Sequence, residues 1–79
     1  MRIIEIANKY DQIKRKTLLY SEISKATGVA YGTITTSWFN KSKGLRIHTK
    51  YQKTVIEILD RLLDYQSDEK KIFDKYFKL

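Results

Sequence analysis

Ile3, Ile6, Ala7, Tyr10 and Ile13 recur three and four positions apart, which places them on one face of a helix ending near Lys14-Arg15-Lys16. A second, shorter helix is predicted from Thr17, as its cap, to about Ala26, with Leu19, Ile23 and Ala26 inward and Gly28 as its stop. From Ala30 to Phe39 the signals compete. Thr33, Ile34, Thr35 and Thr36 are β-branched and could alternate as Ile34/Thr36/Trp38 in a strand, whereas Ile34 and Trp38 are also spaced for a helix. Each threonine costs only about 0.6 kcal/mol relative to alanine in a helix, so a short helix held by packing is the preferred reading. Beyond the polar turn Asn40-Lys41-Ser42-Lys43-Gly44, the residues Tyr51, Val55, Ile58, Leu59, Leu62 and Leu63 mark the clearest amphipathic helix of the chain. Ser67 or Asp68 is expected to cap a last helix, about 68–78, in which Ile72, Phe73, Tyr76 and Phe77 form a stripe opposite Lys70, Lys71, Lys75 and Lys78. That stripe reads first as core and second as a dimerisation element.

Proline is absent and glycine occurs only at positions 28, 32 and 44, so the breaks are confined to the middle of the chain. The predicted fold is all-α: a compact bundle of about five helices, one domain over residues 1–79. No apolar run approaches the roughly 20 residues of a membrane span, and Met1-Arg2-Ile3-Ile4-Glu5 is interrupted by charge before a signal-peptide core can form. A cytoplasmic location is expected.

Charge narrows the class of partner. The net charge is +7 on 79 residues, which favours a polyanion. Residues 14–53 hold nine basic side chains against Glu22 alone, a net +8, while residues 1–13 are neutral and residues 54–79 carry −1. The basic excess therefore coincides with the segment around the short third helix. With no cysteine and one histidine the chain has no ligand cluster for a catalytic metal, and no cofactor is expected. Glu57, Asp60 and Asp64 share one helix without a nucleophile, base and orienter set, so an enzyme is not expected.

Within the basic region, Ile23 faces inward, Ser24 is small where two helices cross, Gly28 permits a left-handed turn, and Val29 and Ile34 seat the next helix on the core. Tyr20 to Ile34 thus resembles the helix-turn-helix of DNA-binding proteins, over about residues 18–40. The stretch Gly28-Val29-Ala30-Tyr31-Gly32-Thr33-Ile34-Thr35 looks like the Gly-Val-Ser-Tyr-x-Thr-Val-Ser signature of the lac-repressor family, and phage repressor and Cro domains share the general pattern. Gly32 departs from it, standing where those repressors often carry a larger polar side chain.

The resemblance implies that the helix starting near Ala30 enters the major groove of double-stranded DNA. Ala30, Tyr31, Gly32, Thr33, Thr35 and Thr36 are then the expected base contacts, through hydroxyls, thymine-facing methyls and, at Gly32, close backbone approach. Phosphate contacts are expected from Tyr20 and Ser21 near the start of the second helix, and from Lys41, Lys43, Arg46 and Lys50. Five or six such contacts correspond to a log–log salt slope of roughly −5. A homodimer, at least on DNA, is expected from the symmetry of palindromic sites. A transcriptional regulator of repressor type fits this set, in the manner of phage or plasmid proteins, with no small-molecule effector implied. His48 receives no role. Two other readings stay open: a winged helix with a β-wing starting at Gly44-Leu45-Arg46-Ile47, and a protein-interaction or inhibitor module that reuses the helix-turn-helix. Trp38 is expected under the fourth helix, and Phe39 is left between core and surface.

Overall fold

The computed structural model of the protein describes residues 2–40, 42 and 44–77, without the side chains of Asp74 and Phe77. Four helices follow one another: α1 (Arg2–Gln12), α2 (Lys16–Thr27), α3 (Tyr31–Thr33, continuing as a π-helix over Ile34–Trp38) and α4 (Thr49–Phe77). No strand occurs among the described residues. Leu45 and Ile47 instead lie against the core as the chain returns toward α4, so the winged-helix reading loses its wing.

The helices form where the apolar spacing places them. Ile6 and Tyr10 of α1, Leu19 and Ile23 of α2, Ile34 and Trp38 of α3, and Val55, Ile58 and Leu59 of α4 meet in one buried cluster with Ile13, Phe39 and Ile47. α1 and α2 both pack along α4. α2 begins two residues earlier than expected and has no side-chain cap, since Arg15 occupies the N-cap and Thr17 is an exposed residue of the first turn. Ala26 is also exposed, contrary to its assignment as core, because the inward face of α2 is already filled by the larger Leu19 and Ile23.

The competition over Ala30–Phe39 is resolved toward helix, with a widened turn. The Phe39 amide donates to the Ile34 carbonyl at 3.3 Å, a five-residue step. That widening brings Trp38 and Phe39 inward together, at 6% and 5% exposure, where a regular helix would turn neighbouring residues about 100° apart. Trp38 packs on Tyr51 of α4, ring centroids 5.3 Å apart, and Phe39 stacks on Tyr10 of α1 at 4.4 Å.

The predicted fourth and fifth helices are a single helix. α4 runs 29 residues through Ser67 and Asp68, because that region contains no glycine or proline to break it and a serine or aspartate is a cap only where the backbone turns. Gln66 also ties α4 to the α1–α2 corner: its amide accepts from the Lys14 N–H and donates to the Gln12 carbonyl, both at 2.9 Å. The stripe read first as core is exposed, with Ile72, Phe73 and Tyr76 at 59%, 60% and 69%; Phe77 as a side chain and Lys78 lie outside the described residues. No described helix is long and apolar enough to cross a membrane.

Candidate nucleic-acid interface

Local chemistry shapes the corner between α2 and α3. Gly28 adopts φ 76°, ψ 4°, the left-handed conformation that terminates helices, and its amide donates to the Ser24 carbonyl at 2.9 Å. Ser24 does more than leave room, since its hydroxyl donates to the Val29 carbonyl at 2.8 Å across the turn. Thr27 donates to the Ile23 carbonyl at 2.7 Å and accepts the Val29 amide at 3.2 Å. The three-residue turn Gly28–Ala30 is thus bonded on both sides, and it leads into α3, whose Ile34 is buried in the core.

Burying Ile34 and Trp38 turns the opposite side of α3 outward. Of the six expected base-contact residues, Ala30, Tyr31, Gly32, Thr33 and Thr36 are exposed and Thr35 is half-buried. Tyr31, 43% exposed, stands edge-on against Tyr20, which in turn is hydrogen-bonded through its hydroxyl to Tyr10. Thr35 and Thr36 both donate their hydroxyl protons to the Gly32 carbonyl, at 3.1 and 2.7 Å. With those protons used, the two threonines offer a ligand only lone pairs and methyl groups. That set suits exocyclic amino donors of adenine or cytosine and the methyl of thymine.

The expected phosphate contacts divide. Arg46 and Lys50 are exposed, in the loop and first turn leading into α4. Lys50 lies over the Tyr51 ring, 4.9 Å from its centroid, and Tyr51 touches Trp38, so this cation is anchored beside the C-terminal end of α3. Lys41 and Lys43 lie outside the described residues. The expected placement of Tyr20 and Ser21 near the start of α2 is corrected: both are half-buried and stand a full turn inside α2, past the free N–H groups of its first turn, and the Tyr20 hydroxyl is engaged by Tyr10.

Among the described residues, part of the +8 segment is engaged within the fold. Arg15 is ion-paired with Glu69, and Lys16 donates to the Tyr10 and Ile13 carbonyls at 2.8 and 2.6 Å, closing the end of α1. Lys14 and Arg15 sit beside Gln66 and Glu69, at least about 24 Å along α4 from Lys50 at 1.5 Å per residue, whereas Lys16 lies over the Tyr10 ring, 4.4 Å from its centroid. Arg46, Lys50 and Lys53 form an exposed cationic group at the head of α4.

Two features of that group escaped the sequence reading. The first turn of α4 contains no acidic residue, although an N-terminal carboxylate would favour the helix dipole, and Lys50 and Lys53 are exposed near the same end. An arriving phosphate would supply the missing negative charge. His48 also has a role: its Nδ1 accepts the Lys50 amide at 3.2 Å, capping α4, which requires the proton on Nε2. Only the spacing of His48 two residues before Lys50 hinted at this, and histidine is an uncommon cap.

Elsewhere, Lys9 bridges Glu5 and Asp60, and the hydrogen bond to Asp60 raises its pKa above the usual lysine value. Burial, then the Tyr20 hydroxyl, pushes the Tyr10 phenol well above the ordinary tyrosine range. No group of three or more His, Cys, Asp or Glu among the described residues could hold a metal ion. No protein-family model, curated protein or solved structure matches the chain.

Proposed function

We propose that the protein is a small sequence-specific double-stranded DNA-binding regulator, repressor-like and cytoplasmic, that lays α3 in the major groove. One observation carries the reading: behind a left-handed glycine turn, α3 buries Ile34 and Trp38 and leaves Tyr31 and the small residues Gly32, Thr33 and Thr36 exposed, with no charge among them. Such a surface can approach base edges closely, while Arg46, Lys50 and the N–H groups at the head of α4 take phosphates beside it. Lys41 and Lys43, which precede Gly44 in the sequence, add to the same phosphate set. Selection of bound sequences from a random duplex pool tests the reading. A defined enriched motif, with affinity falling steeply as salt rises, is the expected result; no enrichment at any salt concentration sinks it.

A protein-interaction module is the second reading. It is favoured by the spent hydroxyl protons of Thr35 and Thr36, which leave methyl groups at the surface. Tight, salt-insensitive binding to a protein together with no duplex enrichment would select it.

A further inference from the structure

α4 outruns the helices that cover it. Its 29 residues span about 43 Å at 1.5 Å per residue, and the longest dimension of the molecule is 43 Å. α1 and α2 cover Val55, Ile58 and Leu59, and the cover ends where Gln66 and Glu69 bond to the α1–α2 corner. At about 100° per residue, Tyr65, Ile72, Phe73 and Tyr76 fall in the same angular sector of α4 as Val55, Ile58 and Leu62. Tyr65, at the last covered turn, is 55% exposed, and Ile72, Phe73 and Tyr76 beyond it are 59–69% exposed because the bundle stops, while the apolar stripe does not.

We propose that this overhang pairs antiparallel with the same segment of a second copy of the chain. The charges beside the stripe select that occupant and that direction. Asp68 and Lys75 are both exposed and lie two turns apart on one flank. Antiparallel pairing brings like flanks together, so Asp68 of each copy meets Lys75 of the other about a two-fold axis near Ile72. Parallel pairing sets this flank against the one bearing Lys70, leaving Lys75 beside like charge. The area is sufficient for a weak dimer: four side chains of this size, a little over half exposed, offer about 500 Å² per copy, and about 1,000 Å² in total is the lower bound of a specific interface.

Pairing is argued from α4 alone; one consequence rests on the DNA-binding reading. A two-fold axis near Ile72 lies about 30 Å along α4 from Tyr51, which touches the end of α3. The two α3 surfaces would then stand roughly 60 Å apart, nearer two turns of DNA than one, and selected half-sites should be spaced accordingly.

Sedimentation equilibrium of the full chain without DNA, from micromolar to millimolar concentration, tests the pairing. The mass should rise from 9.4 kDa toward twice that value. Ile72→Asp should hold it at the monomer with an unchanged helical circular-dichroism spectrum. Asp68→Lys and Lys75→Asp should each weaken association at least tenfold, and the double exchange should restore it. A monomer at every concentration overturns the proposal, and co-sedimentation of that monomer with anionic phospholipid vesicles would assign the stripe to a membrane surface instead. A dimer that tolerates Ile72→Asp, or that the double exchange fails to restore, also overturns it. Because no DNA is present, a monomer that still selects a duplex motif leaves the DNA reading intact, and a dimer that selects none removes that reading alone.

Discussion

Tyr31 meets Tyr20 edge to face, with ring centroids 5.8 Å apart and planes at 86°. Tyr20 is in turn hydrogen-bonded to Tyr10, and Tyr10 stacks on Phe39 at the far end of α3. The exposed residue at the head of α3 is therefore braced by α1 and α2. A rigid aromatic costs little entropy to immobilise on binding, and here much of that ordering is already made in the free protein.

Removing the side chain should accordingly affect discrimination more than folding. Tyr31→Ala should lower the preference for a selected site over random duplex by about 5- to 100-fold, corresponding to about 1–3 kcal/mol for one base contact. Tyr20→Ala should reproduce part of that loss by freeing Tyr31, and Tyr20→Phe, which keeps the ring, should reproduce little of it. Competition binding measures all three. Equal discrimination by Tyr31→Ala and the parent would remove Tyr31 from the readers.

Lys50 is expected to position without specifying. Lys50→Ala should weaken binding to cognate and random duplexes by the same factor and lower the log–log salt slope by about one. Titrations at several salt concentrations check this. A loss confined to the cognate site would contradict a phosphate role.

Features encoded over a few residues were legible in the sequence, and features that depend on distant partners were not. Gly28, Ile23 and Ile34 reveal the α2–α3 corner because a left-handed turn and two apolar seats are local requirements. The joint burial of Trp38 and Phe39 needs a π-turn, imposed by Tyr51 and Tyr10 from other helices. An apolar stripe likewise reports which side of a helix is greasy and not what covers it, so Ile72 and Tyr76 read as core although α1 and α2 end before them. Summing charge along the chain grouped Arg15 with Lys50, yet Arg15 is neutralised by Glu69, 54 positions away. The exposure of Tyr31, Gly32, Thr33 and Thr36 was legible because one helix presents them; where the basic side chains gather was not, because several segments position them.

Tyr10 makes stability depend on alkaline pH. Its pKa is raised in the folded protein, chiefly by burial, whereas the unfolded chain titrates near 10.0. Above that pH the unfolded state loses the proton first, so the native state holds more protons and stability falls as pH rises. The contribution is at most about 1.4 kcal/mol per pH unit for one proton. Urea denaturation between pH 8 and about pH 11 should show this decline, and Tyr10→Phe should flatten it while costing about 1 kcal/mol at neutral pH from the hydroxyl bond to Tyr20. The same slope in both proteins would refute the assignment.

Gly32 separates the demands of folding from those of binding. A Cβ built there meets nothing within 4 Å, and the residue sits in α3 without a positive φ. Alanine should therefore stabilise the fold by about 0.5–1 kcal/mol, through the lower entropy of the unfolded chain and better helix propensity. Gly28→Ala is the contrasting case: it is equally uncrowded, but at φ 76° the left-handed backbone should cost about 1–2 kcal/mol. If α3 lies in the major groove with its backbone close to the base edges at Gly32, the added methyl must be accommodated against DNA. Gly32→Ala should then bind a selected site at least several-fold more weakly despite its greater stability. Thermal unfolding and duplex titration of the same preparation give both numbers. A gain in stability with undiminished, site-selective binding would move the reading surface away from Gly32, toward Thr33 and Thr36.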